Sequence, residues 1–154
     1  MSSTNNTAAS AKWREKFNSE IANGLMAAPT TAGGGLPAFL GIRFTECSPG
    51  RMQAEMEVKP ELLTPIGNMH GGVLAAVCDH MLGCVCYPHM KPGQWAATTE
   101  FKVNYLAPVS KGTALAEAEI VSLTRTTAVV RISIENEGRT VCLAQGTVLI
   151  RDSN

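Results

Sequence analysis

Hydrophobic and polar positions change period twice along this chain. Over residues 11–26, Trp13, Phe17, Ile21 and Leu25 recur every four residues, which predicts an amphipathic helix. Ser, Thr, Asn and Ala fill residues 1–10, too polar a start to pack, and disorder is expected there. Pro29 through Pro37, with Gly33-Gly34-Gly35 between, reads as a linker. The period then becomes two. Leu40, Ile42 and Phe44 alternate with Gly41, Arg43 and Thr45, and beyond the turn Ser48-Pro49-Gly50 the residues Met52, Ala54, Met56 and Val58 alternate with Gln53, Glu55 and Glu57. Two alternating runs joined by a Pro-Gly turn predict a hairpin.

The helical period returns at about residues 70–87. At about 100° per residue, Leu74, Val77, Met81, Cys84 and Val85 form one large apolar stripe. The opposite side holds Gly72, Ala75, Ala76, Asp79, Leu82, Gly83 and Cys86, which are mostly small. Such a helix is expected to be buried all round, with a shallow strip about Asp79 where a backbone or ligand can approach. After a turn at Lys91-Pro92-Gly93, four strands are predicted at about 95–106, 113–123, 126–135 and 140–151. In the third, Ala128, Val130, Ile132 and Ile134 share a face, and Asn136-Glu137-Gly138 turns it into the fourth.

The order is helix, two strands, long helix, four strands. An apolar helix of this kind needs covering, and a curved antiparallel sheet wrapped around it gives an α+β layout. Residues 38–151 are expected to form this one domain, with residues 1–37 as a disordered start, helix and linker. No Gly-rich phosphate loop lies between a strand and a helix, which argues against a nucleotide-binding α/β fold.

Composition narrows the function. The chain has 154 residues, 45% hydrophobic and 17% charged, with 13 basic and 13 acidic residues balancing to zero. Zero net charge gives no attraction to nucleic acid or to an anionic membrane. A charged share below the usual quarter points to surface buried between subunits. The long helix carries Gly, Asp and His and is too short for a membrane span. No apolar signal region opens the chain, and five cysteines are an odd number, so reduced thiols in the cytoplasm are expected.

Asp79 is the one acid in the run His70–Tyr87. A carboxylate in apolar surroundings is costly unless something pairs with it or uses it. Gly71 and Gly72 open the same run, and a helix that starts on glycine offers bare backbone N–H groups to a polarised oxygen. An acid and an oxyanion site on one helix point to chemistry on a carbonyl. Taken alone, Asp79 would read as the partner of a neighbouring Arg or Lys; with His70-Gly71-Gly72 before it, catalysis is the better reading.

The run Thr64-Pro65-Ile66-Gly67-Asn68-Met69-His70-Gly71-Gly72, with Asp79 nine positions after the histidine, resembles the hotdog-fold thioesterases of the PaaI and 4-hydroxybenzoyl-CoA type. The aromatic–x–x–Pro of Tyr105 and Pro108 fits the same family, and the resemblance spans residues 38–151. It implies a hotdog fold and hydrolysis of an acyl-CoA thioester to a free acid and coenzyme A, without metal or bound cofactor. It implies that Asp79 is the nucleophile or general base, that the Gly71 N–H polarises the carbonyl, and that His70 shapes the oxyanion site. It also implies a homodimer or homotetramer whose sites lie between subunits. Aligning Tyr105 and Pro108 puts Thr98 where some relatives carry a hydroxyl. Thr64 stands where the family usually has Asn or Gln, with shorter reach and one functional group where an amide has two. Gly72, Thr64, Asn68 and Thr98 are the candidate substrate contacts, although an N-cap is the better reading of Asn68.

Other chemistries fare worse. Cys78, His80, Cys84, Cys86, His89 and His70 lie close in sequence, but no C-x-x-C pair is present and the cysteines fall on different helix faces, so buried structural thiols are expected and no metal. Arg125, Arg131, Arg139, Lys111 and Arg151 could meet the phosphates of coenzyme A, though each taken singly reads as a solvated charge. Two alternatives stay beside the thioesterase reading: a non-catalytic acyl-CoA binding or regulatory module, and a hotdog hydratase or dehydratase.

Overall fold

Alternating burial along each strand makes one sheet face apolar, and that face closes over a single helix. The structure, a computed structural model, describes residues 12–28 and 33–153. Its elements are α1 (Ser19–Ala27), α2 (Gly35–Leu40), β1 (Arg43–Ser48), β2 (Arg51–Glu57), α3 (Gly71–Cys84), β3 (Gln94–Tyr105), β4 (Thr113–Leu123), β5 (Thr127–Asn136) and β6 (Arg139–Asp152). The strands form one antiparallel sheet in the order β1-β2-β4-β5-β6-β3. Met52, Ala54 and Met56 of β2, Ala114, Ala116, Ala118 and Ile120 of β4, and Ala128, Val130, Ile132 and Ile134 of β5 are all buried. They pack with Leu74, Val77, Cys78, Met81 and Leu82 of α3 in one core. Alanines on the inner side of β4 leave room for the helix to lie close to the sheet. By length and composition Gly71–His89 could cross a membrane, but here α3 lies against β3, β4, β5 and β6.

The strands stand within a residue or so of the expected bounds, and the Glu137-Gly138 turn takes positive φ at both residues, as a two-residue hairpin requires. The N-terminal part differs from expectation. The helix anticipated over residues 11–26 is broken at Phe17: a short 3-10 turn, Arg14–Lys16, precedes it, and α1 begins only after Asn18, whose side chain accepts from the N–H groups of Glu20 and Ile21. A capping side chain stops the helix there even though the apolar spacing runs on. The anticipated linker holds α2, which runs through Pro37, and Leu40 closes that helix and does not begin a strand. Residues 1–10, the disordered start of the expectation, lie outside the described residues.

One further detail positions the site. A bulge between Thr98 and Glu100 adds a residue to β3 against β6. Ala96 and Thr98 before it, and Phe101, Val103 and Tyr105 after it, therefore share the side that faces α3; Ala96, Phe101 and Val103 pack on the core. Gly146 of β6 is obligatory here, because a Cβ would stand 2.5 Å from both the Glu100 carbonyl oxygen and the Phe101 Cβ.

Candidate active site at the start of the central helix

The segment before α3 is pinned from two sides. The Met69 N–H donates to the Val109 carbonyl at 2.6 Å and the His70 N–H to the Leu62 carbonyl at 3.0 Å. His70 is the N-cap: its Nδ1 accepts from the Gly72 N–H at 2.9 Å, and its carbonyl accepts from the Val73 N–H. Nδ1 therefore carries no proton. Asn68 is not the cap. It lies two residues too early, and its carbonyl accepts from the Thr64 N–H at 2.7 Å and the Thr64 hydroxyl at 2.9 Å. Thr64 and Asn68 together clasp the loop that delivers the helix start.

With the Gly72 and Val73 N–H groups engaged, the Gly71 N–H has no acceptor among the described residues. It lies at the positive end of the helix dipole, where a developing negative charge is favoured. Gly71 lines an open pocket of about 400 Å³ with Met69, Leu74, Tyr105 and Pro108. Tyr105 is the wall: a Cβ on Gly71 would stand 3.1 Å from its Cζ and 3.2 Å from its Cε2. Sequence reasoning used Tyr105 only to mark a motif, and its spacing to Pro108 carried no sign that the ring would cover Gly71.

Asp79 lies two turns along α3. It is exposed in this chain, not buried as the sequence suggested, and it forms no ion pair among the described residues. The pairing with Arg or Lys, weighed from the sequence and ranked below catalysis, is thus not formed among the described residues. The strip around Asp79 lies open: Gly72 is exposed and Ala75, Ala76 and Gly83 are half-buried, whereas Leu82 and Cys86 turn fully into the core. β3 runs back along α3, from Ala96 beside Gly83 to Tyr105 over Gly71. Thr98 falls between, on the helix-facing side and half-buried. The structure thus joins Gly71 with Tyr105, His70 with Gly72, and Thr64 with Asn68. It records no hydrogen bond from Asp79 or Thr98 to any of them.

His80 and Cys84 meet on the other flank, with Sγ 3.6 Å from Nε2. The imidazole stacks on Phe44 at 5.7 Å, and burial holds its pKa below the ordinary histidine range, partly offset by Asp79. Burial pushes the Cys84 thiol up to about 12. A nucleophilic cysteine needs a thiolate, so this pair is packing and not a catalytic dyad.

The sequence profile described as the thioesterase superfamily matches residues 66–143, which include Gly71 and Asp79. The chain belongs to the thioesterase superfamily. Among relatives of this thioesterase, a Klebsiella pneumoniae protein named proofreading thioesterase EntH is 30% identical over 115 residues, covering 73% of this chain and 84% of that protein. A Listeria monocytogenes protein named 1,4-dihydroxy-2-naphthoyl-CoA hydrolase is 25% identical over 118 residues, covering 76% and 96%. The solved structure of the Escherichia coli PaaI protein, from the phenylacetic acid degradation operon, superposes with a TM-score of 0.69 at 25% identity, covering 75% of this chain and 83% of that one. The α+β hotdog fold and the thioester hydrolase activity expected from the sequence both stand.

Proposed function

We propose that the protein hydrolyses acyl-CoA thioesters in the cytoplasm, as a homodimer or homotetramer whose sites combine Gly71 of one subunit with Asp79 of another. The observation that carries the reading is a donor and an acid left free on the same helix: among the described residues the Gly71 N–H has no acceptor and the Asp79 carboxylate no ion-pair partner. The thioester oxygen would lie at the Gly71 N–H, where the helix dipole stabilises the oxyanion. Asp79 would attack the carbonyl carbon or take a proton from the attacking water. Where water attacks, the tetrahedral adduct expels the coenzyme A thiolate, and the proton that Asp79 took passes to the thiolate or to solvent. Where Asp79 attacks, loss of the thiolate leaves an acyl-aspartyl anhydride, which water then hydrolyses to the free acid and the carboxylate. His70 occupies the Gly72 N–H and so leaves Gly71 as the free donor, and Thr98 offers a hydroxyl on the side of β3 that faces α3.

Geometry favours two subunits. A donor at the oxygen and an attacking group at the carbon of one carbonyl stand roughly 6 Å apart, or about 9 Å with a water between. Eight residues of helix separate Gly71 from Asp79 by about 12 Å along the axis. A second copy that laid its own Asp79 against this pocket would close the gap and cover the exposed strip. A cytoplasmic setting is supported by five free thiols.

A panel of aromatic, medium-chain and long-chain acyl-CoA thioesters, assayed for release of free coenzyme A, tests the reading. Turnover of at least one is expected. No release from any of them by the folded protein would contradict it.

A further inference from the structure

A second cavity lies away from the helix start, where the N-terminal segment crosses the turn after α3 and the ends of β4 and β6. It is about 400 Å³ in volume, and Lys12, Lys16, Lys91 and Arg125 line it above a floor that includes Trp13 and Ile150. Among the described residues no carboxylate lines it and none of the four cations is ion-paired. The nearby Asp152 accepts a hydrogen bond from the Gln94 side chain. Four like charges around one depression repel one another, so the arrangement is unfavourable until an anion neutralises it.

The cavity is built before any ligand arrives. His89 is buried and donates from Nδ1 to the Trp13 carbonyl at 3.2 Å, while its Nε2 accepts from the Gly50 N–H at 3.0 Å. The Asn18 N–H donates to the Pro88 carbonyl at 2.7 Å, and Arg14 donates to the Pro49 carbonyl at 3.1 Å. These bonds tie the segment that carries Lys12 and Lys16 to the rigid end of the domain.

We propose that this cavity binds a small anion bearing phosphate groups on a less polar body. That chemistry is shared by a free nucleoside phosphate and by the nucleotide end of coenzyme A. A single carboxylate would leave most of the four cations unmatched, whereas a polyphosphate brings several negative charges and many acceptor oxygens. The volume lies in the range of small-molecule sites. Binding needs no turnover, so the inference stands or falls apart from the thioesterase reading.

The test titrates the full chain with inorganic pyrophosphate, ADP and coenzyme A by calorimetry, at low and high salt. It is repeated on the double variant Lys16→Gln/Arg125→Gln and on Lys16→Arg. Both positions are exposed, so the fold should be kept, as thermal unfolding would verify. ADP or coenzyme A should bind the parent, weaken with salt, bind the double variant about ten- to a hundredfold more weakly, and bind Lys16→Arg nearly as well as the parent. If ADP and pyrophosphate bind and the double variant leaves KM for acyl-CoA unchanged, the occupant is a free nucleotide. If coenzyme A binds and the double variant raises KM with kcat unchanged, the occupant is the nucleotide end of the substrate. Equal binding to parent and double variant, or no binding of any probe at millimolar concentration, would overturn the proposal.

Discussion

Replacing Gly71 with alanine separates the role of the helix start in chemistry from its role in the fold. The backbone at Gly71 is not in the left-handed region, so alanine meets no conformational penalty. Its Cβ would stand 3.1–3.4 Å from three atoms of the Tyr105 ring, tighter than ordinary contact by a few tenths of an ångström. Tyr105 is 51% exposed and can yield by that amount. Alanine also outranks glycine in a helix by up to about 1 kcal/mol, and by less in the first turn. The two effects oppose each other, and stability should change by less than about 1 kcal/mol. Activity should not survive in the same way. The new methyl stands on the pocket side of the Gly71 N–H and pushes the carbonyl off its donor; losing one such donor costs about 2.7–4 kcal/mol, or roughly a hundred- to a thousandfold in kcat. Release of coenzyme A under saturating substrate, with thermal unfolding on the same preparation, measures both quantities. Adding Tyr105→Ala removes the ring contact, and turnover should stay low, because the methyl remains at the donor. A folded Gly71→Ala enzyme within about threefold of the parent kcat would refute the assignment of the oxyanion donor.

Two other outcomes follow from contacts already described. Thr64→Val removes the hydroxyl that holds the Asn68 carbonyl but keeps the Thr64 N–H bonded to it, so urea unfolding should show a loss of about 1 kcal/mol, with kcat/KM changed only a few-fold. Burial, opposed by the Trp13 carbonyl and reinforced by Arg14, lowers the pKa of His89, and burial lowers that of His80 as well. Above the unfolded histidine pKa of about 6.5 neither state holds the extra proton; as pH falls below it the unfolded chain binds protons that the folded one refuses, and stability drops until the folded values are passed. Denaturant midpoints should fall between pH 7.5 and pH 5.5, and NMR titration of the His89 ring should give a value below 6.5; a value at or above it would contradict the buried, neutral latch.

Period and turn chemistry made most of the sheet legible. Ala128, Val130, Ile132 and Ile134 alternate cleanly and all turn inward, because a strand packed on one face has no other way to bury them. α3 was legible because Gly71-Gly72 and the stripe from Leu74 to Met81 agree on where it starts and which face it buries. The N-terminal helix was misread because the four-residue spacing from Trp13 to Leu25 continues across Asn18, and a single capping oxygen outweighs that spacing locally. α2 was hidden by glycines and prolines that usually punctuate chains, yet Pro37 is compatible with a first helical turn, where its missing N–H would have no partner. Asp79 was identified by its isolation, but its exposure was not legible, because a small-residue strip looks the same in sequence whether a strand or a second copy covers it. His89 looked like one member of a possible metal cluster; its two ring bonds, to Trp13 and Gly50, join residues far apart in the chain and leave no local pattern.

Mixing two inactive variants tests most directly the proposal that the catalytic site is shared between subunits. Asp79→Asn removes a carboxylate that has no ion-pair partner among the described residues, so its fold should be kept, and kcat should fall by about two to four orders of magnitude. Asp79→Asn and Gly71→Ala, unfolded together and refolded as a mixture, form hybrid assemblies. In a hybrid, one site inherits both defects and the other inherits the intact glycine of one chain and the intact acid of its partner. With random pairing, about a quarter of all sites are whole, and turnover of the mixture should return to roughly a quarter of the parent value while each variant refolded alone stays inactive. A mixture no more active than the separately refolded variants would contradict a site built from Gly71 of one subunit and Asp79 of another.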